Sequence, residues 1–179
     1  MIQEAVKWIF EPSHCKIGFS VKHFGITETE GHFKRFEGTI ESVNEDFSDA
    51  CVELTIDVNS LDTQDEQRDG HLRSADFFDA DKFPVIHFQS TGTEVVRANQ
   101  YKMFGELSMV GITKPVVLDV QHTGIVKRDP FGNTKAGFLI QGQINRKDWG
   151  INWNAVLDFG GVAVGETVNI RCHVELLRS

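Results

Sequence analysis

Residues 168–176 read Val168-Asn169-Ile170-Arg171-Cys172-His173-Val174-Glu175-Leu176. Every second side chain is apolar or thiol and every intervening one is polar, the two-residue period of a strand with one dry and one wet face. The same alternation runs through residues 50–58, where Ala50, Val52, Leu54, Ile56 and Val58 oppose Cys51, Glu53, Thr55 and Asp57. It recurs over residues 15–23, with Cys15, Ile17, Phe19, Val21 and His23 on one side and Lys16, Gly18, Ser20 and Lys22 on the other. Segments near 29–41, 84–97, 100–110, 115–128 and 135–147 are also strand-like. About eight strands result, several of them ten residues or longer.

Turn chemistry separates the strands. Asp129-Pro130-Phe131-Gly132-Asn133 is a turn between two long runs. Gly111-Ile112-Thr113-Lys114-Pro115 is expected to stop pairing, because proline has no N–H to give a ladder. Gly18, Gly31, Gly38, Gly105 and Gly142 lie within strands and mark the bends that a closing sheet needs. Residues 63–74 (TQDEQRDGHLRS) break the alternation: acidic groups come early and Arg73 late, as the helix dipole favours. A short helix is expected there, with Gly70 weakening it by about 1 kcal/mol relative to Ala. The pattern predicts an all-β fold over residues 1–179 as a single domain. Its form is an extended, antiparallel, up-and-down barrel of about eight strands, with the helix after the fourth strand. Eight strands enclose an interior that side chains fill or that holds one small ligand.

Composition narrows the function. The chain has 179 residues, enough for one substantial core, and 14 Phe against one Tyr and three Trp. Phe carries no polar handle, so its excess points to a larger dry interior than a plain core requires. The net charge of −8 would repel nucleic acid and an anionic membrane leaflet. No stretch reaches the ~18 apolar residues of a membrane-spanning helix, so no stable membrane insertion is expected. Cys15, Cys51 and Cys172 are odd in number and widely spaced, which reads as buried or semi-buried free thiols in a reducing compartment. Met1-Ile2-Gln3-Glu4-Ala5 lacks the basic and apolar regions of a secretion leader, so a cytoplasmic location is expected, or a periplasmic one if a leader was removed.

Several motifs together resemble the YceI-like family. They are Trp8, Ser13-His14, Phe19-Ser20-Val21-Lys22-His23 and Gly31-His32-Phe33; residues 65–79 followed by Phe83-Pro84-Val85-Ile86-His87-Phe88; residues 105–115; and Ile144-Asn145-Arg146-Lys147-Asp148-Trp149-Gly150. The resemblance covers residues 8–177. It implies a lipocalin-like barrel whose interior binds a long-chain isoprenoid lipid, such as a polyprenyl phosphate or a molecule with a quinone-type tail, for storage or transport. Many members of this family are periplasmic and carry a leader, whereas none is expected here.

A flexible apolar tail needs a tube of apolar side chains more than placed polar groups. The in-phase candidates for its wall are Phe19, Val21, Phe36, Leu54, Ile56, Phe88, Met103, Leu107, Leu118, Phe138, Ile140 and Ile170, with His23 on the same face as Phe19 and Val21. They read equally as ordinary core with nothing between them. Arg68, His71 and Arg73 invite two readings: a phosphate or other head group at a barrel mouth, or a helix pinned as a lid. Arg128-Asp129 and Arg146-Lys147-Asp148 read as solvated turn charges, and Trp149 and Trp153 as cover for one barrel end or part of a self-association surface.

No nucleophile elbow, phosphate loop, dinucleotide fingerprint or zinc spacing is present, so no catalytic residue, metal or cofactor is assigned. The expectation is a non-catalytic binder with an apolar lipid as its partner and a second copy of the chain as a homodimer partner. The alternatives are an enzyme acting on an isoprenoid-like substrate through His71 or His23, and a stress-related interaction module with a filled barrel.

Overall fold

A computed structural model describes residues 2–179. The alternating segments become strands of one antiparallel sheet that closes on itself. β1 (Val6–Phe10) and β2 (Lys16–His23) both pair with β11 (Val164–Arg178), Trp8 opposite Arg178 and Ile17 opposite Cys172, so they are one stave interrupted by a tight turn at Pro12–His14. β3 (Thr27–Phe33) pairs with β2, and β4 (Phe36–Ser42) with β1, which makes a second stave. β5 (Cys51–Asp57) on β4 and β6 (Leu61–Asp62) on β3 make the third. β7 (Val85–Arg97), β8 (Gln100–Met109), β9 (Ile112–Val126), β10 (Lys135–Asn145) and β11 follow as a meander, and β11 returns to β1 and β2. The result is a closed antiparallel barrel of eight staves. Closure pairs most of the sheet on both sides and so limits the free edge that templates aggregation.

The bends have visible causes. Where the second stave turns at Lys34 and Arg35, Lys34 pairs with Asp62 at 2.7 Å and Arg35 with Asp57 at 2.8 Å, tying it to the third stave. The expected helix is present as α1 (Glu66–Arg73), capped by the Asp65 carboxylate, which accepts from the Arg68 N–H at 3.0 Å. It stands between β6 and β7, that is, between the third and fourth staves.

One turn differs from the sequence reading. Pairing does not stop over 111–115: the reversal is confined to Val110 and Gly111, at φ 52° and 73°, and Ile112 already faces Met109. Pro115 lies inside β9 opposite Glu106, on a stretch whose other side β10 leaves unpaired beyond Asp119. A strand accepts proline at such an unpaired side.

The barrel has two unlike ends. At the lower end lie residues 43–50, the turn at 98–99 and residues 127–134. At the upper end lie the β2–β3 turn, α1 with residues 74–84, the β8–β9 turn and residues 146–163.

Candidate functional site

The inward side chains enclose a cavity of about 250 Å³. Phe19, Val21, Leu54, Ile56, Phe88 and Met103 stand on its wall, as do Leu107, Leu118, Phe138, Ile140 and Ile170. Phe36 and His23 do not. Phe36 packs edge-on to Phe10, centroids 6.2 Å apart, and it is Phe10 that takes the place on the wall. His23 has the right parity but is the last residue of β2 and is not on the cavity wall; it is exposed and lies tilted against Phe24, centroids 3.8 Å apart.

Two glycines keep rings flat against the wall. Gly31 faces Phe19 across β2 and β3, and a Cβ there would come within 2.5 Å of the Phe19 ring. At Gly105 a Cβ would come within 2.4 Å of Phe88. Each ring lies over a backbone that lacks a side chain and so does not swing into the cavity.

The lower end is closed by aromatic packing. Phe47, only 4% exposed, meets Trp8 at 5.2 Å, Phe138 at 4.9 Å and His122 at 5.2 Å, while His122 stacks on Phe138. Its loop is tied down by the Asp49 carboxylate, which accepts from the Ser42 hydroxyl at 2.6 Å and from the Val43 and Asn44 N–H groups. Burial opposes the charge on Asp49, but these donors outweigh it and hold its pKa below the usual carboxylate range. The Tyr101 hydroxyl donates to the Asp46 carbonyl from the opposite side.

The upper end is covered by α1 and the chain after it, which turn Leu72, Phe77 and Phe78 onto the cavity. The helix is held by a buried polar knot. Asp69 accepts from the Thr63 hydroxyl at 2.5 Å and from its N–H at 3.0 Å, and Arg68 donates back to the Thr63 carbonyl at 2.6 Å. His71 bonds Asp76 at 2.9 Å and packs edge-on to Phe77 and Trp153. Arg73 is half-buried, and its carbonyl accepts from the Ala80 N–H at 2.9 Å. None of Arg68, His71 and Arg73 reaches the cavity wall.

Sequence reasoning misplaced Arg146, which is not a solvated turn charge. It is 3% exposed and touches the cavity. Its guanidinium donates to the carbonyls of Gly165, Ile151, Trp153 and Val164 at 2.7–3.2 Å, stitching residues 151–164 to the head of β11. Burial pulls its pKa down, against the pull of Glu166. The signal was faint: a short polar turn wedged between an alternating strand and Trp149, itself 2% exposed and donating to the Leu107 carbonyl at 2.9 Å.

The model of the YceI-like domain matches residues 8–176. This chain belongs to the YceI-like family. A UPF0312 protein of Staphylococcus aureus (strain N315) is 36% identical over 166 residues, 93% of this chain and 94% of that protein. Among solved structures, Burkholderia cenocepacia BcnA superposes with a TM-score of 0.80 at 22% identity, covering 93% of this chain and 98% of its own. The Campylobacter jejuni YCEI protein superposes at 0.70 with 29% identity over 86% and 87% of the two chains. A polyisoprenoid binding domain from Saccharophagus degradans, implicated in plant cell wall breakdown, superposes at 0.66 with 14% identity over 96% and 98%.

Outside the cavity of this YceI-like barrel, one polar cluster among the described residues gathers ligand-type atoms. Glu11, His14 and Glu175 lie within 4.8 Å of one another. The Lys135 ammonium already sits between the two carboxylates, 2.8 Å from Glu11 and 3.1 Å from Glu175, and lowers the pKa of Glu11 while its own is raised. That cation supplies the charge a metal would bring. Among the thiols, Cys172 lies on the cavity wall with its pKa pushed up to about 11 by burial, and Cys15 is half-buried. Cys51 is exposed, contrary to expectation, because it is on the outward face of β5.

Proposed function

We propose that this YceI-like barrel binds the apolar tail of an isoprenoid lipid, of polyprenyl phosphate or quinone type, and stores or carries it without altering it chemically. The observation that supports this most is the character of the cavity wall. It is aliphatic and aromatic almost throughout; among the described residues its one charged side chain, Arg146, spends its N–H groups on backbone carbonyls, and the Thr93 hydroxyl is buried without a partner. Such a wall offers an extended tail contact along its length and a charged head group no counter-charge, only the lone neutral hydroxyl of Thr93. Each methylene transferred from water contributes about 0.8 kcal/mol, offset in part by the ordering of the tail. The head group of such a lipid therefore stays outside the cavity. The polyisoprenoid binding domain from Saccharophagus degradans, alike in fold, agrees with this reading.

A catalytic role for His23 or His71 has no support in their placement: one is not on the cavity wall and the other is engaged in the lid. The filled-barrel reading is disfavoured by the cavity itself.

The test is native mass spectrometry of protein purified without detergent, followed by solvent extraction. A stoichiometric prenyl species, displaced when Val168→Trp plugs the wall, is the expected result. A protein that carries no such species and takes up none from added polyprenol sinks the proposal.

A further inference from the structure

We infer that the upper rim of the barrel is a docking surface for a neutral lipid bilayer, an inference that rests on the tail-binding function proposed above. Two short turns form the apolar part of this rim. One is the β2–β3 turn, which carries Phe24 and Ile26. The other is a small hairpin in which Val156 pairs with Val162 and the chain reverses through Phe159 and two glycines at φ 86°. The turns are side by side, since the Phe24 N–H donates to the Ala163 carbonyl at 2.9 Å.

Their apolar side chains face outward. Ile26 is 82% exposed, Val156 83% and Phe159 fully, with Phe24 and Val162 about half-exposed. Clustered exposure of this kind marks an interaction surface and not a packing remainder. Val21, Ile151 and Val164, just behind these turns, already belong to the cavity wall. The apolar surface thus continues from the rim into the barrel, and a tail crossing it from a bilayer would stay out of water.

Shape and charge select the partner. The tips are short turns with a few highly exposed apolar side chains, suited to sinking into a soft surface; a stable protein interface needs roughly 800 Å² on each side. Within the β2–β3 hairpin Lys22 faces Glu28, and the second tip adds Asp158, so the rim carries no cationic excess. With a net charge of −8 on the whole chain, an anionic bilayer is disfavoured and a zwitterionic one is not.

The experiment is flotation of the full chain with phosphatidylcholine vesicles, with bound lipid measured on the same preparation. The wild type is expected to float with the vesicles, and to do so less as phosphatidylglycerol is added. The double variant Ile26→Ser/Phe159→Ser is expected to lose about tenfold or more of this partition. Phe131→Ser, an 87% exposed site at the lower end, is expected to leave it unchanged. Absence of wild-type flotation, or equal loss in the Phe131→Ser variant, overturns docking by this rim. So does a wild-type dimer that the double variant turns into monomers, since the rim would then cover a second copy. Tail bound without flotation removes the docking and leaves the binding function standing; flotation without any bound tail keeps the docking and removes the binding function.

Discussion

The ring of Phe47 stands edge-on to that of Phe138, centroids 4.9 Å apart at 85°, and this contact shuts the lower end of the barrel. Phe47 comes from the loop after β4 and Phe138 from β10, so the seal joins segments remote in sequence. Phe47→Ala should cost about 3 kcal/mol or more in urea unfolding, as expected for truncating a buried aromatic. It should also open the cavity from below, read as faster uptake of an apolar fluorescent probe. A loss under 1 kcal/mol with unchanged uptake would show that the loop closes the barrel without this ring.

Gly105→Ala is a substitution of one methyl group with an outsized expected effect. The added carbon would meet the Phe88 ring and the Gln89 carbonyl, the latter at 2.8 Å. The ring can move only inward, into the cavity. The variant should lose about 1–3 kcal/mol of stability and bind tail more weakly. Pairing it with Phe88→Leu, which removes the ring clash and leaves the one with the Gln89 carbonyl, should restore part of the stability; failure of that rescue would place the strain in the backbone.

Arg146→Met keeps much of the apolar stem and deletes the guanidinium. The backbone carbonyls of Gly165, Ile151 and Trp153 lose this donor, while that of Val164 keeps the Asn154 side-chain amide at 2.7 Å. Buried acceptors left unpaired cost about 1–3 kcal/mol each, reduced where the loop relaxes towards water. The expected phenotype is local: amides of residues 151–165 exchange with solvent at least tenfold faster, while those of β7 and β8 keep their protection. Uniform exchange across the barrel would make Arg146 a global rather than a local clamp.

Acid should loosen the lower end through His122. Burial pulls the pKa of its imidazole below the ordinary 6.5, and Nε2 of the neutral ring lies 3.1 Å from the Gly124 carbonyl. Between the lowered folded value and 6.5 the unfolded chain binds more protons than the folded one, so stability rises with pH in that window. The contribution is fully present above 6.5 and is lost as pH falls towards the folded value. His122→Phe should flatten the melting temperature between pH 6.5 and 5 relative to wild type; an unchanged slope there would assign the pH dependence to other groups.

Much of the architecture was legible in the chain because a strand's two-residue period is local. Residues 15–23, 50–58 and 168–176 announced their inner faces without reference to one another, and the wall positions from Phe19 to Ile170 followed from phase alone. The motifs of the YceI-like family added what local periodicity cannot, the expectation of a cavity for a tail.

Phase does not say where a barrel ends, and there the tertiary structure decided. His23 has the inward parity and falls outside, while Phe10 takes the wall position expected of Phe36. Arg146 looks like a solvated charge until the chain folds 151–164 around it and supplies carbonyls from residues up to 19 positions away. Phe47, in a loop with no period to read, becomes the lower seal only when β1 and β10 bring Trp8 and Phe138 to it. The sequence determined which faces are dry, because alternation acts between neighbours. Closure, plugging and the burial of one cation depend on contacts between distant segments, and only the folded barrel makes them.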